Sequence, residues 1–131
     1  WFFIFITIIC ISTDIGGYVF GKLFKGPKLT KLSPNKTLSG MIGGYILSVI
    51  SSIIFTNFTF NKDLPIDWII FVIMISTVSQ FGDIIISYFK RLSKIKDTGK
   101  IIPGHGGLLD RVDGMIFAFP FAYLISLLEI I

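Results

Sequence analysis

Two aspartates interrupt long apolar stretches of the sequence, and they are the first residues that could carry chemistry. Asp14 follows the run WFFIFITIICIST, and Asp83 lies within IIFVIMISTVSQFGDIII. A carboxylate inside a membrane span costs about 2.5–3.5 kcal/mol on insertion scales, so such residues usually face a wet cavity or a functional site. The alternative is a charge that reaches the membrane surface or pairs with a nearby lysine. Asp83 is the stronger candidate, because Gln80 and Ser87 share its helical face.

A second group of candidates lies in the polar run that ends at Asp113. Its centre is PGHGG at 103–107, followed by DRVD at 110–113. Glycines remove side chains where the backbone approaches a ligand, and consecutive backbone N–H groups ahead of a helix bind anions. Asp110 and Asp113 share one face of a helix that begins near Asp110, although aspartates here could also simply cap that helix. His105 alone is more typical of a hydrogen-bonding loop residue than of a base.

The candidate metal ligands are all oxygen donors. They are Asp14, Asp83, Asp110 and Asp113. Oxygen ligands favour Mg²⁺, which takes one or two carboxylates together with phosphate oxygens and water. A single histidine and a single cysteine, far apart in the sequence, do not make a zinc site, and no P-loop motif occurs. The pattern therefore indicates metal-assisted phosphate chemistry without naming a substrate.

The elements that hold these residues are predicted to be membrane helices. Of the 131 residues, 53% are hydrophobic and only 15% are charged. A soluble domain of this size could not bury that much apolar surface. Four stretches could cross about 30 Å of hydrocarbon at about 1.5 Å per residue. They lie at 1–21, 40–60, 66–89 and 112–131. We expect an all-α membrane protein, a polytopic transmembrane helix bundle, with the second and third spans forming an antiparallel hairpin.

The basic residues orient this bundle. Of the 12 lysines and arginines, 11 lie between the first and second spans or between the third and fourth. The exception is Lys62. The positive-inside rule places both loops in the cytoplasm. The same charge would also suit anionic lipid or an anionic nucleotide, and charge alone does not separate these readings. Because the apolar run begins at Trp1 without a preceding basic segment, we expect further sequence upstream.

Each span carries a stripe of small or polar residues that predicts its inner face. The four stripes are Thr7, Cys10, Asp14, Gly17 and Gly21; Gly40, Gly44, Ser48 and Ser52; Ser76, Gln80, Asp83 and Ser87; and Gly114, Ala118, Ala122 and Ser126. Close helix packing alone explains the second and fourth stripes. It does not explain Asp14 and Asp83.

The polar run resembles the signature of the phosphatidate cytidylyltransferases, also called CDP-diacylglycerol synthases. The matching segments are SYFKR at 87–91, KD at 96–97 and PGHGGLLDRVD at 103–113. Upstream blocks that resemble the family are DIGGY at 14–18 with Gly21 and Lys22, LSPNKT at 32–37 with Gly40, and QFGD at 80–83. Gly17 stands where the family usually has alanine. The resemblance covers nearly the whole chain, which we expect to be the C-terminal part of a single integral-membrane cytidylyltransferase domain.

This resemblance implies transfer of CMP from CTP to phosphatidic acid, which gives CDP-diacylglycerol and diphosphate at a site that faces the cytoplasm. It implies Mg²⁺ as cofactor, and the family has been associated with a monovalent cation such as K⁺ beside it. The metal ligands that it implies are Asp83 and Asp110, to which we add Asp113. The expected partners are CTP, phosphatidic acid and membrane lipid, with no nucleic acid. The small-residue faces of the helices are also compatible with a homodimer.

The remaining site residues are assigned from the chemistry of holding phosphate groups. Besides Asp83 and Asp110, the predicted catalytic residues are Lys90, Arg91, Arg111 and His105. The predicted substrate-binding residues are Asp14, Ser33, Lys36, Lys96, Asp97, Gly104, Gly106 and Gly107.

Two alternatives belong to other classes of protein. A CDP-alcohol phosphotransferase would need a D-G-x-x-A-R block, which is absent from the sequence. A non-enzymatic transporter or lipid-binding fragment would explain the spans and the charge bias. It would not explain a glycine-histidine loop joined to D-R-x-D.

Overall fold

The computed structural model of the chain is a bundle of four α-helices. It describes residues 1–28, 36–92 and 108–130, and the side chains of 108–112 lie outside this description. The helices are α1 (Phe2–Phe24), α2 (Leu38–Phe60), α3 (Ile66–Leu92) and α4 (Leu108–Leu127). Apart from one isolated bridge, Lys28 with Thr37, the described residues contain no β-structure. The all-α prediction is confirmed, and each predicted span lies within about one helical turn of an observed helix.

Three of the four helices meet the length and apolarity needed to cross a membrane. α1, α2 and α3 contain 23, 23 and 27 residues. The part of α4 whose side chains are described, Asp113–Leu127, is an apolar helix of shorter length and contains Pro120. Large apolar side chains are exposed along the outer faces of the helices, where lipid would cover them. The chain is therefore an integral-membrane helix bundle.

α1 and α2 pack as an antiparallel pair at close range, through glycines. A Cβ atom on Gly16 would lie 2.5 Å from the Gly43 carbonyl oxygen, and one on Gly40 would lie 2.6 Å from the Gly17 carbonyl oxygen. No larger residue fits at these two contacts without moving a backbone. This close approach brings the C-terminal half of α1 against the start of α2.

α3 and α4 form the second antiparallel pair, again around glycines. Gly82 lies against the Phe117 side chain, and Gly114 lies against Ser79. Asp83, the residue after Gly82, is thereby held beside the first turns of α4. The two helix pairs place the C-terminal ends of α1 and α3 and the N-terminal ends of α2 and α4 at the same end of the bundle.

The interior changes character along the bundle axis. Its apolar core consists of Phe5, Ile6, Ile9, Cys10, Phe71, Val72, Ile75, Ala118, Ala122 and Ile125. Aromatic rings follow at the end that carries the α2–α3 connection, where Trp1 packs near Phe55 and Phe60. Polar residues occupy the opposite half, where the two basic loops join the helices.

The predicted inner faces agree with the structure to different degrees. All four residues predicted for α2 are buried, and so are three of the four for α4, with Ser126 exposed. On α3, Ser76 is buried while the other three predicted residues are half-buried. On α1, Cys10 is buried as predicted, but toward the polar end the buried residues are Thr13 and Gly16, one position before the predicted Asp14 and Gly17. Asp14 and Gly17 therefore lie beside the packed face of α1.

Candidate active site

A polar cavity of about 400 Å³ opens at the basic end of the bundle. All four helices and the connection into α2 contribute to it. Its walls are formed by Thr13, Asp14, Gly17, Tyr18, Lys36, Thr37, Gly40, Met41, Gln80, Asp83, Ser87, Lys90 and Asp113. Asp14 and Asp83, which the sequence places in two separate spans, thus line the same cavity.

The two intramembrane carboxylates are positioned by the glycine contacts between the helices. Asp14 is exposed, because it lies beside the face of α1 that packs against its neighbours. Asp83 is half-buried, and a Cβ atom on Gly114 would lie 3.0 Å from its Oδ1 atom. The Asp14 and Asp83 carboxyl groups are close enough to interact with each other and with Lys36. The cavity therefore presents two adjacent oxygen ligands.

Lys36 reaches the cavity because the residues around it fix the start of α2. The Thr37 side chain caps the helix by accepting a hydrogen bond from Gly40 N at 3.2 Å. Lys36 Nζ lies 3.4 Å from Asp83 Oδ2, and the two side chains are 31% and 22% exposed. Asp83 thus has a lysine partner, as one of the two sequence interpretations expected. Both groups remain open to a ligand.

A second ion pair joins α3 to α4. Lys90 Nζ donates to Asp113 Oδ2 at 3.3 Å, and the side chains are only 15% and 8% exposed. A pair this well shielded from water holds its geometry more firmly than an exposed one, because the field of each charge is less screened. It forms one wall of the cavity and leaves Lys36 as the more accessible ammonium group.

The carboxylates of the cavity could hold a magnesium ion only if a bound phosphate and water supplied its other ligands. Among the described side chains, those of residues 1–28, 36–92 and 113–130, no group of three or more His, Cys, Asp or Glu is arranged to hold a metal ion. Mg²⁺ commonly uses one or two carboxylates and completes its shell with phosphate oxygens and water, which suits Asp14 and Asp83.

The other predicted site residues are placed as follows. Arg91 is exposed on the last turn of α3 and is not among the residues that line the cavity. Asp110 and Arg111 belong to α4, but their side chains lie outside the description. The remaining predictions fall outside the described residues: Ser33, Lys96, Asp97, Gly104, His105, Gly106 and Gly107.

Several cavity residues were not predicted from the sequence. Tyr18 is 69% exposed, and Lys22 Nζ lies 5.7 Å from the centre of its ring. Met41 and Thr37 enter the cavity from α2 and its N-cap. Tyr18 had a usable signal, since it follows Asp14 by one helical turn, and both Tyr18 and Thr37 lie in blocks that resemble the family, whereas Met41 had none.

The comparisons with known proteins agree on one family. The profile described as the Cytidylyltransferase family matches residues 1–128. A phosphatidate cytidylyltransferase of Staphylococcus haemolyticus is 45% identical over 112 residues, which cover 82% of this chain and 42% of that protein. The Bacillus subtilis protein of that name is 38% identical over 122 residues, 90% of this chain and 44% of its own length. A phosphatidate cytidylyltransferase of Brucella suis is 40% identical over 124 residues, which cover 92% of this chain and 45% of that protein.

The chain therefore spans less than half the length of these curated relatives. Within that part, the match includes Asp14, Asp83 and Asp113 on their helices and Lys36 just before α2, so it includes residues that build the cavity. Because the family profile covers almost all of its residues, the chain belongs to the cytidylyltransferase family.

Proposed function

We propose that the protein containing this chain is a phosphatidate cytidylyltransferase and that the cavity at the basic end of the bundle binds its reacting groups. The relatives that bear this name support the choice of reaction. The observation that carries the proposal is the convergence of two lysines and three aspartates in one cavity: Lys36, Lys90, Asp14, Asp83 and Asp113. Such a set binds phosphate groups and the cation that accompanies them.

In the proposed reaction, a phosphate oxygen of phosphatidate attacks the α-phosphorus of CTP. A new P–O bond forms while the bond from the α-phosphorus to the bridging oxygen breaks, and the electron pair leaves with diphosphate. The attacking phosphate is already ionised at neutral pH, so the site does not need a general base. Its work is to position the two phosphates and to stabilise the charge that shifts to the leaving group.

The lysines are suited to different parts of this work. Lys36 is the more exposed ammonium and is proposed to contact a substrate phosphate directly. Lys90 is held by Asp113 and contributes a fixed positive charge in the wall. The other predicted contacts to the triphosphate and the lipid phosphate stay predictions. They are Arg91, Arg111, Lys96, His105, Ser33, Asp97, Gly104, Gly106 and Gly107.

Mg²⁺ is proposed as the cofactor, to neutralise the charge of the triphosphate. Asp83 is its best-supported ligand because it lies beside Asp14 and faces the start of α4, which carries Asp110. Asp113 is a weaker candidate, since its Oδ2 atom accepts a hydrogen bond from Lys90. The K⁺ site, the homodimer and the absence of a nucleic-acid partner stay as predictions. We further propose that the basic end faces the cytoplasm, which would bring CTP to the cavity.

The test uses CTP labelled either at the α-phosphorus or at the γ-phosphorus, with phosphatidate in mixed micelles. The full-length protein should move the α-label into lipid and release the γ-label as diphosphate, and EDTA should abolish both. Label in lipid from γ-labelled CTP would indicate a kinase instead. CTP-independent movement of a solute or lipid across vesicles, without label transfer, would support the transporter alternative.

A further inference from the structure

A chain of hydrogen bonds runs from the cavity into the buried contact between α1 and α3. Thr13 Oγ1 donates to the Ile9 carbonyl oxygen at 2.7 Å. Thr13 Oγ1 and Ser76 Oγ lie 2.8 Å apart, and Gln80 Nε2 lies 3.5 Å from Ser76 Oγ. Thr13 and Ser76 are buried, whereas Gln80 is half-buried and lines the cavity.

The number of protons in this hydrogen-bonded series fixes which group donates in each of its hydrogen bonds. A hydroxyl group has a single proton to donate, and the Thr13 proton is used by Ile9. Ser76 must therefore donate to Thr13, and it can then only accept from Gln80. The Gln80 amide consequently turns its NH₂ group toward Ser76. The opposite orientation would place the amide oxygen against a hydroxyl oxygen that has no proton left to share.

This orientation leaves Gln80 Oε1 as the atom that a ligand in the cavity can meet. Within the described part of the chain, no hydrogen bond reaches this oxygen. Of the groups that CTP and phosphatidate carry, only a hydrogen-bond donor can bind this oxygen. Fully ionised phosphate groups of CTP and phosphatidate offer no donor, so the group belongs to the nucleoside half of CTP.

The fixed amide points to one donor in particular. A ribose hydroxyl can either donate or accept, so it would bind to both orientations of the amide. The exocyclic amine of cytosine can only donate, and the corresponding position of uracil is an oxygen that can only accept. An amide that is held in this orientation therefore separates cytosine from uracil.

We propose that Gln80 recognises the exocyclic amine of cytosine, and that Ser76 and Thr13 are positioning residues that hold its amide in the accepting orientation. The inference rests on the proposed function, because it takes CTP as the ligand. The spacing of two lining residues along α3 agrees with it. Gln80 precedes Lys90 by ten residues on α3, which is about 15 Å along the helix axis, so ribose and phosphates have room above the base.

The test measures equilibrium binding of CTP and UTP to the full-length protein in nanodiscs with Mg²⁺, and kcat/KM for both nucleotides. The wild type is expected to prefer CTP. Ser76→Ala frees the amide to reverse, so the preference should fall about tenfold, the equivalent of one hydrogen bond. Thr13→Val should have the same effect. Thr13→Ser keeps the hydroxyl and should therefore retain the wild-type preference for CTP. Gln80→Ala removes the contact from the cavity wall without disturbing the buried hydroxyl groups.

Ser52→Ala is the matched control. Ser52 is as fully buried as Ser76, but its hydroxyl bonds to the Ser48 carbonyl oxygen of its own helix at 2.7 Å. An unchanged CTP-to-UTP ratio in both Gln80→Ala and Ser76→Ala would overturn the inference. So would a preference for CTP over 2′-deoxy-CTP that disappears in Gln80→Ala, since it would assign the oxygen to ribose. CTP-selective binding without transfer would contradict the proposed function alone.

Discussion

The Lys36–Asp83 and Lys90–Asp113 ion pairs differ in how far water reaches them, and this difference predicts different effects of mutation. Lys90→Met should lower the free energy of unfolding by about 1–3 kcal/mol, because it removes a charged hydrogen bond from the well-shielded Asp113 carboxylate. Lys36→Met should cost less than about 1 kcal/mol, since the Lys36–Asp83 pair is more exposed. Thermal unfolding of both variants in one detergent measures the difference. A larger loss for Lys36→Met would contradict this assignment.

At the residue scale, the sequence predicted the site residues that are energetically costly in a membrane span and missed those that are common there. Asp14 and Asp83 could be selected because a carboxylate in an apolar helix is costly, and the structure brings them into one cavity. Met41 carries no such signal. Its contribution depends on how α2 packs against α1, and that packing is a tertiary property.

At the scale of helices, adjacent glycines on α1 allow a matched comparison. Gly16→Ala would place a Cβ atom 2.5 Å from the Gly43 carbonyl oxygen, whereas Gly17→Ala would meet nothing closer than the Gly40 carbonyl oxygen at 3.7 Å. We expect Gly16→Ala to destabilise the protein by about 1–3 kcal/mol through overpacking. Gly17→Ala should be neutral or slightly stabilising, by up to about 1 kcal/mol, because alanine favours the helix.

Denaturation of both glycine variants in the same mixed micelles provides the measurement. Equal stability of Gly16→Ala and Gly17→Ala would show that α1 and α2 do not approach as closely as described. The same pair explains why the inner face of the C-terminal half of α1 was predicted one position away. Neighbouring residues on a helix differ by about 100° in direction, and only the position of α2 shows that Gly16 is the one in contact.

The whole molecule makes a prediction about sidedness. If the basic end faces the cytoplasm, a cysteine at Asn61 should react with a membrane-impermeant maleimide in intact cells. A cysteine at Lys25 should react only after permeabilisation. Cys10 is buried and should stay unlabelled in both cases, so it needs no replacement. The reverse pattern of labelling would place the cavity on the outer side of the membrane and separate it from cytoplasmic CTP.

At this scale, the helix count and the common polar end could be predicted from apolar length and from the charge of the loops. The cavity could not, because its walls come from all four helices and their glycine contacts. The predictions for His105 and the glycine loop lie outside the described residues, and those for the Asp110 and Arg111 side chains do as well. They stay predictions for mutagenesis.

The central claim is that the carboxylates of this cavity serve phosphoryl chemistry, and one pair of substitutions on α3 tests it most directly. Asp83→Asn changes a cavity residue, and Asp67→Asn makes the same change at the exposed opposite end of that helix. The measurement is Mg²⁺-dependent transfer of α-label from CTP to phosphatidate. We predict a loss of at least about 100-fold for Asp83→Asn with its unfolding midpoint retained, because catalysis here depends on fixed charge. Asp67→Asn should match the wild type. Undiminished transfer by a folded Asp83→Asn protein would contradict the account.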